Sequence, residues 1–182
     1  WWCSKSVFKF WISGIGFNKL VILGIDPGLT QTGYGLINVS SNKPVLVDFG
    51  IIKPPNTQFP LSERLRVIHY DVIEIIKKYK PAVLSIEEIF YGKNVRSTIM
   101  LSHARAVALL AGSNYDLPIY EYSARKVKQS IAGNGNAKKE QLQFMVKSIL
   151  KMNDLPKPFD ASDALSIALC HFQQSTLLRE KW

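Results

Sequence analysis

LVILGIDPG (residues 20–28) and AVLSIE (residues 82–87) are the two stretches that decide the fold. Each is a short, continuous apolar run that ends in an acid. Runs of this kind read as buried central strands, each delivering a carboxylate at its carboxyl end. Outward from the first, GYGLINV (33–39) is a second strand, and Ser41-Asn42-Lys43-Pro44 forms a turn into a third, VLVDFGIIK (45–53). The short connections predict an antiparallel meander. Pro54, Pro55 and Pro60 mark a loop, after which Leu61, Leu65, Ile68, Val72, Ile75 and Tyr79 recur at steps of three and four. That spacing predicts a helix over 61–80, closed by Pro81 before the second decisive strand. Residues 94–112 predict a close-packed helix, rich in small side chains at Ser102, Ala104, Ala106, Ala108 and Ala111. A short fifth strand follows at 118–121. Ser123 is placed to cap a helix that runs from Ala124 to Gly133. Gly133-Asn134-Gly135-Asn136 is a loop, 137–151 a further helix, and 160–172 the last helix, after Pro156 and Pro158. Strands and helices in this order predict an α/β domain, a five-stranded mixed sheet with helices on both faces.

The chain has 182 residues, 47% of them apolar, enough for one domain with a full core. That content excludes a chain disordered along its length. Two cysteines, Cys3 and Cys170, exclude a disulfide scaffold or a cysteine-rich zinc site and fit a reducing compartment, the cytoplasm. Net charge is +9. Between residues 120 and 151 seven bases (Arg125, Lys126, Lys128, Lys138, Lys139, Lys147, Lys151) face only Glu121 and Glu140. A local basic block points to a polyanion partner, and equally suits a solvated helix face. Residues 1–18, WWCSKSVFKFWISGIGFN, read as an amino-terminal extension, non-native or disordered. The apolar part, Val7 to Phe17, falls short of the roughly 20 residues that span a bilayer, so no membrane partner is expected. The domain is expected over 19–175, with a tail at 176–182.

The acids suggest chemistry. Asp26 ends the first strand and Glu87 the fourth, while Asp160 and Asp163, spaced i, i+3, share a face of the largely apolar last helix. Carboxylates that converge repel one another unless cations bind between them. Hard oxygen ligands favour Mg²⁺ or Mn²⁺, and two such ions can promote phosphodiester cleavage. Singly, each acid also fits a structural role: Asp26 as a turn residue before Pro27, Glu87 and Glu88 as solvated strand ends, Asp160 as a helix cap and Asp163 as a first-turn acid.

Leu23-Gly24-Ile25-Asp26-Pro27-Gly28 followed by Thr32-Gly33-Tyr34-Gly35 resembles the opening of the RuvC family of bacterial Holliday junction resolvases. So do Ile86-Glu87-Glu88-Ile89-Phe90, Lys93-Asn94, Ala104-Arg105-Ala106, Glu121-Tyr122, Val127-Lys128-Gln129, the run Gly133 to Gln141, and Asp160-Ala161-Ser162-Asp163-Ala164-Leu165. The resemblance covers residues 20–172, in order. It implies a ribonuclease H-like fold, a homodimer, and a Mg²⁺-dependent endonuclease, with Mn²⁺ as a substitute and two ions per site. It further implies two symmetric nicks in a four-way junction that leave 5′-phosphate and 3′-hydroxyl ends, in recombination and repair, alongside the RuvA–RuvB branch-migration complex. By motif, Asp26, Glu87, Asp160 and Asp163 are the catalytic, metal-holding acids. Phe90 is the aromatic at the junction centre, and Lys128 and Lys139 are bases near the scissile strand. Lys138 is an equal candidate for a phosphate contact from its charge.

Three other readings compete, one of them a ribonuclease H-type or other nuclease that keeps the metal site and cuts linear duplex or hybrid as well as junctions. The turn after Asp26, with Thr30 and Thr32, also resembles the phosphate loop of actin-like and sugar-kinase ATPases, which share the core but need two such domains. A junction-binding protein without cleavage would need the basic block but not the four acids.

Overall fold

The computed structural model describes residues 20–89 and 95–179. The extension at 1–18, Phe90 and its neighbours through Asn94, and residues 180–182 lie outside them. The elements in chain order are β1 (Leu20–Asp26), β2 (Thr32–Ser40), β3 (Lys43–Ile52), α1 (Leu61–Tyr79), β4 (Val83–Glu87), α2 (Val95–Ser113), β5 (Ile119–Tyr122), α3 (Ala124–Ala132), α4 (Lys139–Ile149) and α5 (Phe159–Arg179). The strands form one sheet in the order β3-β2-β1-β4-β5. β1, β2 and β3 make the expected antiparallel meander, and β4 and β5 are parallel to β1.

Side chains alternate across a strand, so both sheet faces must be covered. On β1, Val21, Leu23 and Ile25 enter one apolar cluster with Ile68, Val72 and Ile76 of α1 and Ala104, Ala108 and Ala111 of α2. Ile22 enters the other, with Val127 and Ile131 of α3, Leu142 and Val146 of α4, and Leu165, Ala168 and Leu169 of α5. Helices therefore lie on both faces. Local signals set their ends: Ser123 Oγ accepts from Lys126 N at 3.3 Å to cap α3, and Gly133, at φ +70°, closes it.

α5 packs closest. Gly24 on β1 is in register with Gly35 on β2 and with Ser85 on β4, so a row of small residues crosses the sheet beneath it. A Cβ on Gly35 would stand 2.7 Å from the Leu165 nitrogen, and one on Gly24 2.8 Å from the Ala168 nitrogen and hard against the Ala164 carbonyl. At Gly33 it would land on the Asp160 carbonyl. Ala161, Ala164 and Ala168 are fully buried on α5, matching the flat row with small side chains of their own. At the β5 edge of the sheet His171 Nδ1 meets the Tyr122 hydroxyl at 2.8 Å, tying α5 to β5. Burial holds that imidazole neutral, its pKa pushed down to about 4.

Two expectations shift. β3 starts at Lys43 rather than Val45, because pairing with β2 extends through Ser40↔Lys43 across a bulge at Leu36/Ile37. α5 continues to Arg179 instead of ending at Phe172. The run Gln173-Gln174-Ser175 that follows Phe172 contains neither Gly nor Pro to break a helix.

Gly24→Ala and Gly35→Ala are each expected to lower unfolding free energy by about 3 kcal/mol or more in urea titration, since the added methyl meets backbone. Gly133→Ala, where nothing stands within 4 Å, costs only the left-handed strain, about 1 kcal/mol.

Candidate active site

β1 and β4 are parallel neighbours with Ile25 opposite Ile86. Asp26 and Glu87 therefore leave the same end of the sheet side by side. Asp26 is also in register with Gly33, over which the first turn of α5 lies. The close approach at Gly33 carries Asp160, and one turn on Asp163, to that same end. The sheet thus brings together all four acids singled out from sequence. Asp160 sits inside the first turn of α5, after Phe159, rather than capping it. Of the two adjacent glutamates, Glu88 is exposed, and its N–H continues the ladder to Tyr122 O at 2.9 Å. Glu87 is the one drawn into the site.

Crowding shows in the acidities. Burial holds the Asp26 carboxyl well above the usual carboxylate range, and the charges of Glu87, Asp163 and Asp160 push it further; Lys139 pulls the other way. Burial, then Asp163, raises Glu87, against Lys139 and Lys128. Burial likewise raises Asp163 against the hydrogen bond from Lys139. Lys139 Nζ donates to Asp163 Oδ2 at 3.0 Å. Burial would lower its own pKa, but that bond and the charges of Asp163, Asp26 and Asp160 raise it instead.

Of the expected bases, Lys139 and Lys128 stand in the field of the acids. Lys138 occupies the cap position of α4 with its side chain exposed. The expected aromatic, Phe90, is outside the described residues. The loop at 133–136 is braced rather than slack. Gln129 donates Nε2–H to Gly133 O at 2.8 Å and accepts from Gly135 N at 3.1 Å, while Asn134 Oδ1 accepts from Asn136 N at 2.9 Å. The loop therefore delivers Lys138 and Lys139 from a fixed position.

Sequence reasoning missed several supports. Gln31 donates its side-chain amide to Asp160. Arg105 on α2 donates Nε–H to the Glu87 carbonyl at 3.0 Å and pairs with Glu121 on β5. Arg64 had one visible signal: with Ile68, Val72 and Ile76 it forms the buried stripe of α1, a charge where an apolar residue belongs. Gln31 carried no signal short of the folded structure.

The donor set suits a hard divalent cation: carboxylate oxygens, mutually repelling and partly desolvated. As the side chains lie, no three His, Cys, Asp or Glu groups among the described residues close around one point. Gln31 and Lys139 hold two of the four acids.

The family model described as Crossover junction endodeoxyribonuclease RuvC matches residues 22–171. The chain is 47% identical to the protein of that name from Halothermothrix orenii over 90% of this chain and 98% of that protein. It is 48% identical to the one from Proteus mirabilis, over 86% and 90%. The solved structure described as T. thermophilus RuvC in complex with Holliday junction substrate superposes with a TM-score of 0.81 at 33% identity, over 87% of this chain and 96% of that chain.

Carboxyls raised on folding favour the folded state below their unfolded values near 4 and lose that contribution as pH rises through the folded values. In EDTA, thermal stability is therefore expected to fall as pH rises above about 4. Asp26→Asn, by removing one of the repelling charges, should raise the melting temperature at pH 7 by about 4 °C or more. Calorimetry across pH checks both.

Proposed function

The chain belongs to the RuvC family of crossover junction endodeoxyribonucleases, and on that premise we propose that it resolves four-way DNA junctions by paired, metal-dependent nicks. The observation that carries the reading is the convergence of Asp26, Glu87, Asp160 and Asp163 at one sheet end, inside the field of Lys139 and Lys128. The four acids are the residues that would hold divalent cations, Mg²⁺ with Mn²⁺ as substitute, two per site. Such ions supply Lewis acidity at the scissile phosphodiester.

The residues of this chain do the rest. Water adds to phosphorus, the bond to O3′ breaks, and a proton ends on O3′; the products are a 5′-phosphate and a 3′-hydroxyl. The acids are shielded by the sheet, so their charges act in a medium less screening than water. Lys139 and Lys128 offset phosphate charge and the charge that grows on the phosphoryl oxygens. Lys138, exposed at the start of α4, anchors a backbone phosphate of the same strand. Phe90 holds the junction centre open by occupying an unstacked step. Paired nicks need two sites related as the junction's own arms are related, and a two-fold homodimer supplies them. The enzyme works in recombination and repair in the cytoplasm, with the RuvA–RuvB complex as its partner. A reducing compartment suits the buried, unpaired Cys170 thiol.

The test is a synthetic four-way junction beside a linear duplex of the same sequence, each with Mg²⁺ and with EDTA. Symmetric nicks in the junction alone, only with Mg²⁺, are expected. Asp26→Asn should bind the junction as wild type does and nick it more than about 100-fold more slowly. Binding without nicking by the wild-type chain would replace the enzyme reading with a junction-binding one. Lys138→Ala should weaken binding and lower the salt slope by about 1, leaving the rate on bound junction intact.

A further inference from the structure

Asp160 is held differently from its neighbours. Asp163 takes its hydrogen bond from a cation, Lys139. Asp160 takes one from a neutral amide, Gln31 Nε2, across from the loop between β1 and β2. That loop is built as a stiff arm. Thr32, fully buried, accepts from Gly28 N at 3.1 Å through its hydroxyl and donates to Gly28 O at 2.7 Å. Behind it Arg64, only 6% exposed, donates Nη2–H to Leu29 O at 2.8 Å and Nε–H to Pro55 O at 3.1 Å. Burying a guanidinium costs desolvation free energy, and here one of its donors fixes the loop that carries Gln31 while the other ties it to the loop at Pro55. Leu29 anchors the arm from the other side by entering the α1–α2 core.

The chemistry of the donor matters. A cation on Asp160 would cancel the negative charge that a divalent ion needs. With no donor, the carboxylate is free to turn away from the like charges of Asp26 and Asp163, which lie in its field. A neutral amide fixes the direction of the group and leaves its charge whole, which is how groups behind metal ligands commonly work. We propose that Gln31 is a positioning residue for Asp160, held in place by the Arg64–Leu29 and Thr32–Gly28 bonds, and that it prepays the ordering of Asp160 for divalent-cation binding. This rests on the metal-dependent reading above.

The test is Mn²⁺ binding to the full chain without DNA, read by electron paramagnetic resonance of the free ion, so that no turnover enters. Gln31→Met keeps the length of the side chain and removes the donor, at a half-buried position that tolerates it. Mn²⁺ affinity is expected to fall about tenfold, with junction affinity in EDTA unchanged. Combined with Asp160→Ala, Gln31→Met should add no further loss, because it acts through that carboxylate. Unchanged Mn²⁺ affinity in Gln31→Met, or an equal loss in the Asp160→Ala background, overturns the proposal while leaving the metal reading standing. A wild-type chain that binds no Mn²⁺ overturns both.

Discussion

The closeness of α5 to the sheet is the constraint on which the rest depends. Gly24, Gly33 and Gly35 have no side chain where the helix crosses β1 and β2, and Ala161, Ala164 and Ala168 answer them from above. An ordinary helix–sheet contact interleaves large side chains. Here backbone nearly touches backbone, and Asp160 rides over Gly33 to within reach of Asp26. A side chain at any of the three glycines would lift the helix and part the acids that the site needs. One feature of packing therefore fixes both the core on that face and the spacing of the carboxylates.

The site holds that arrangement against its own electrostatics. Four acids at one end of a sheet, each of them at least partly shielded from water, oppose folding at neutral pH. Lys139 relieves Asp163, Lys128 eases Glu87, and the apolar clusters on both sheet faces supply the free energy that keeps the acids together. Surplus negative charge of this kind, retained rather than neutralised, is what a site for divalent cations requires. Arg105 adds a tie, joining the Glu87 carbonyl on β4 to Glu121 on β5.

Much of this was legible in the linear chain. Apolar runs ending in Asp26 and Glu87 marked the two central strands, and the steps of three and four from Leu61 to Tyr79 marked α1. Spacing alone put Asp160 and Asp163 on one helix face. What remained hidden depends on contacts across the fold. That Gly24 stands opposite Gly35 follows from the register of two strands, and that both lie under α5 follows from how the last helix returns over the sheet. The glycines at 133–136 mark a loop and no more, and Gln129, four residues before Gly133, bonds to it twice. Gln31 meets its partner across 129 residues of chain, a distance at which no periodicity operates. The bulge at Leu36/Ile37 left no mark either, since both residues are apolar and fully buried.

Asp26, Glu87, Asp160 and Asp163 would form one cation site because α5 lies flat on the glycines of β1 and β2. Crystals of the full chain grown with Mn²⁺, with anomalous scattering recorded at the manganese edge, test it most directly. The expected result is anomalous density bounded by these four carboxylates, with Lys139 moved off Asp163. Mn²⁺ density elsewhere on the protein, with these acids still bonded to Gln31 and Lys139, would contradict it.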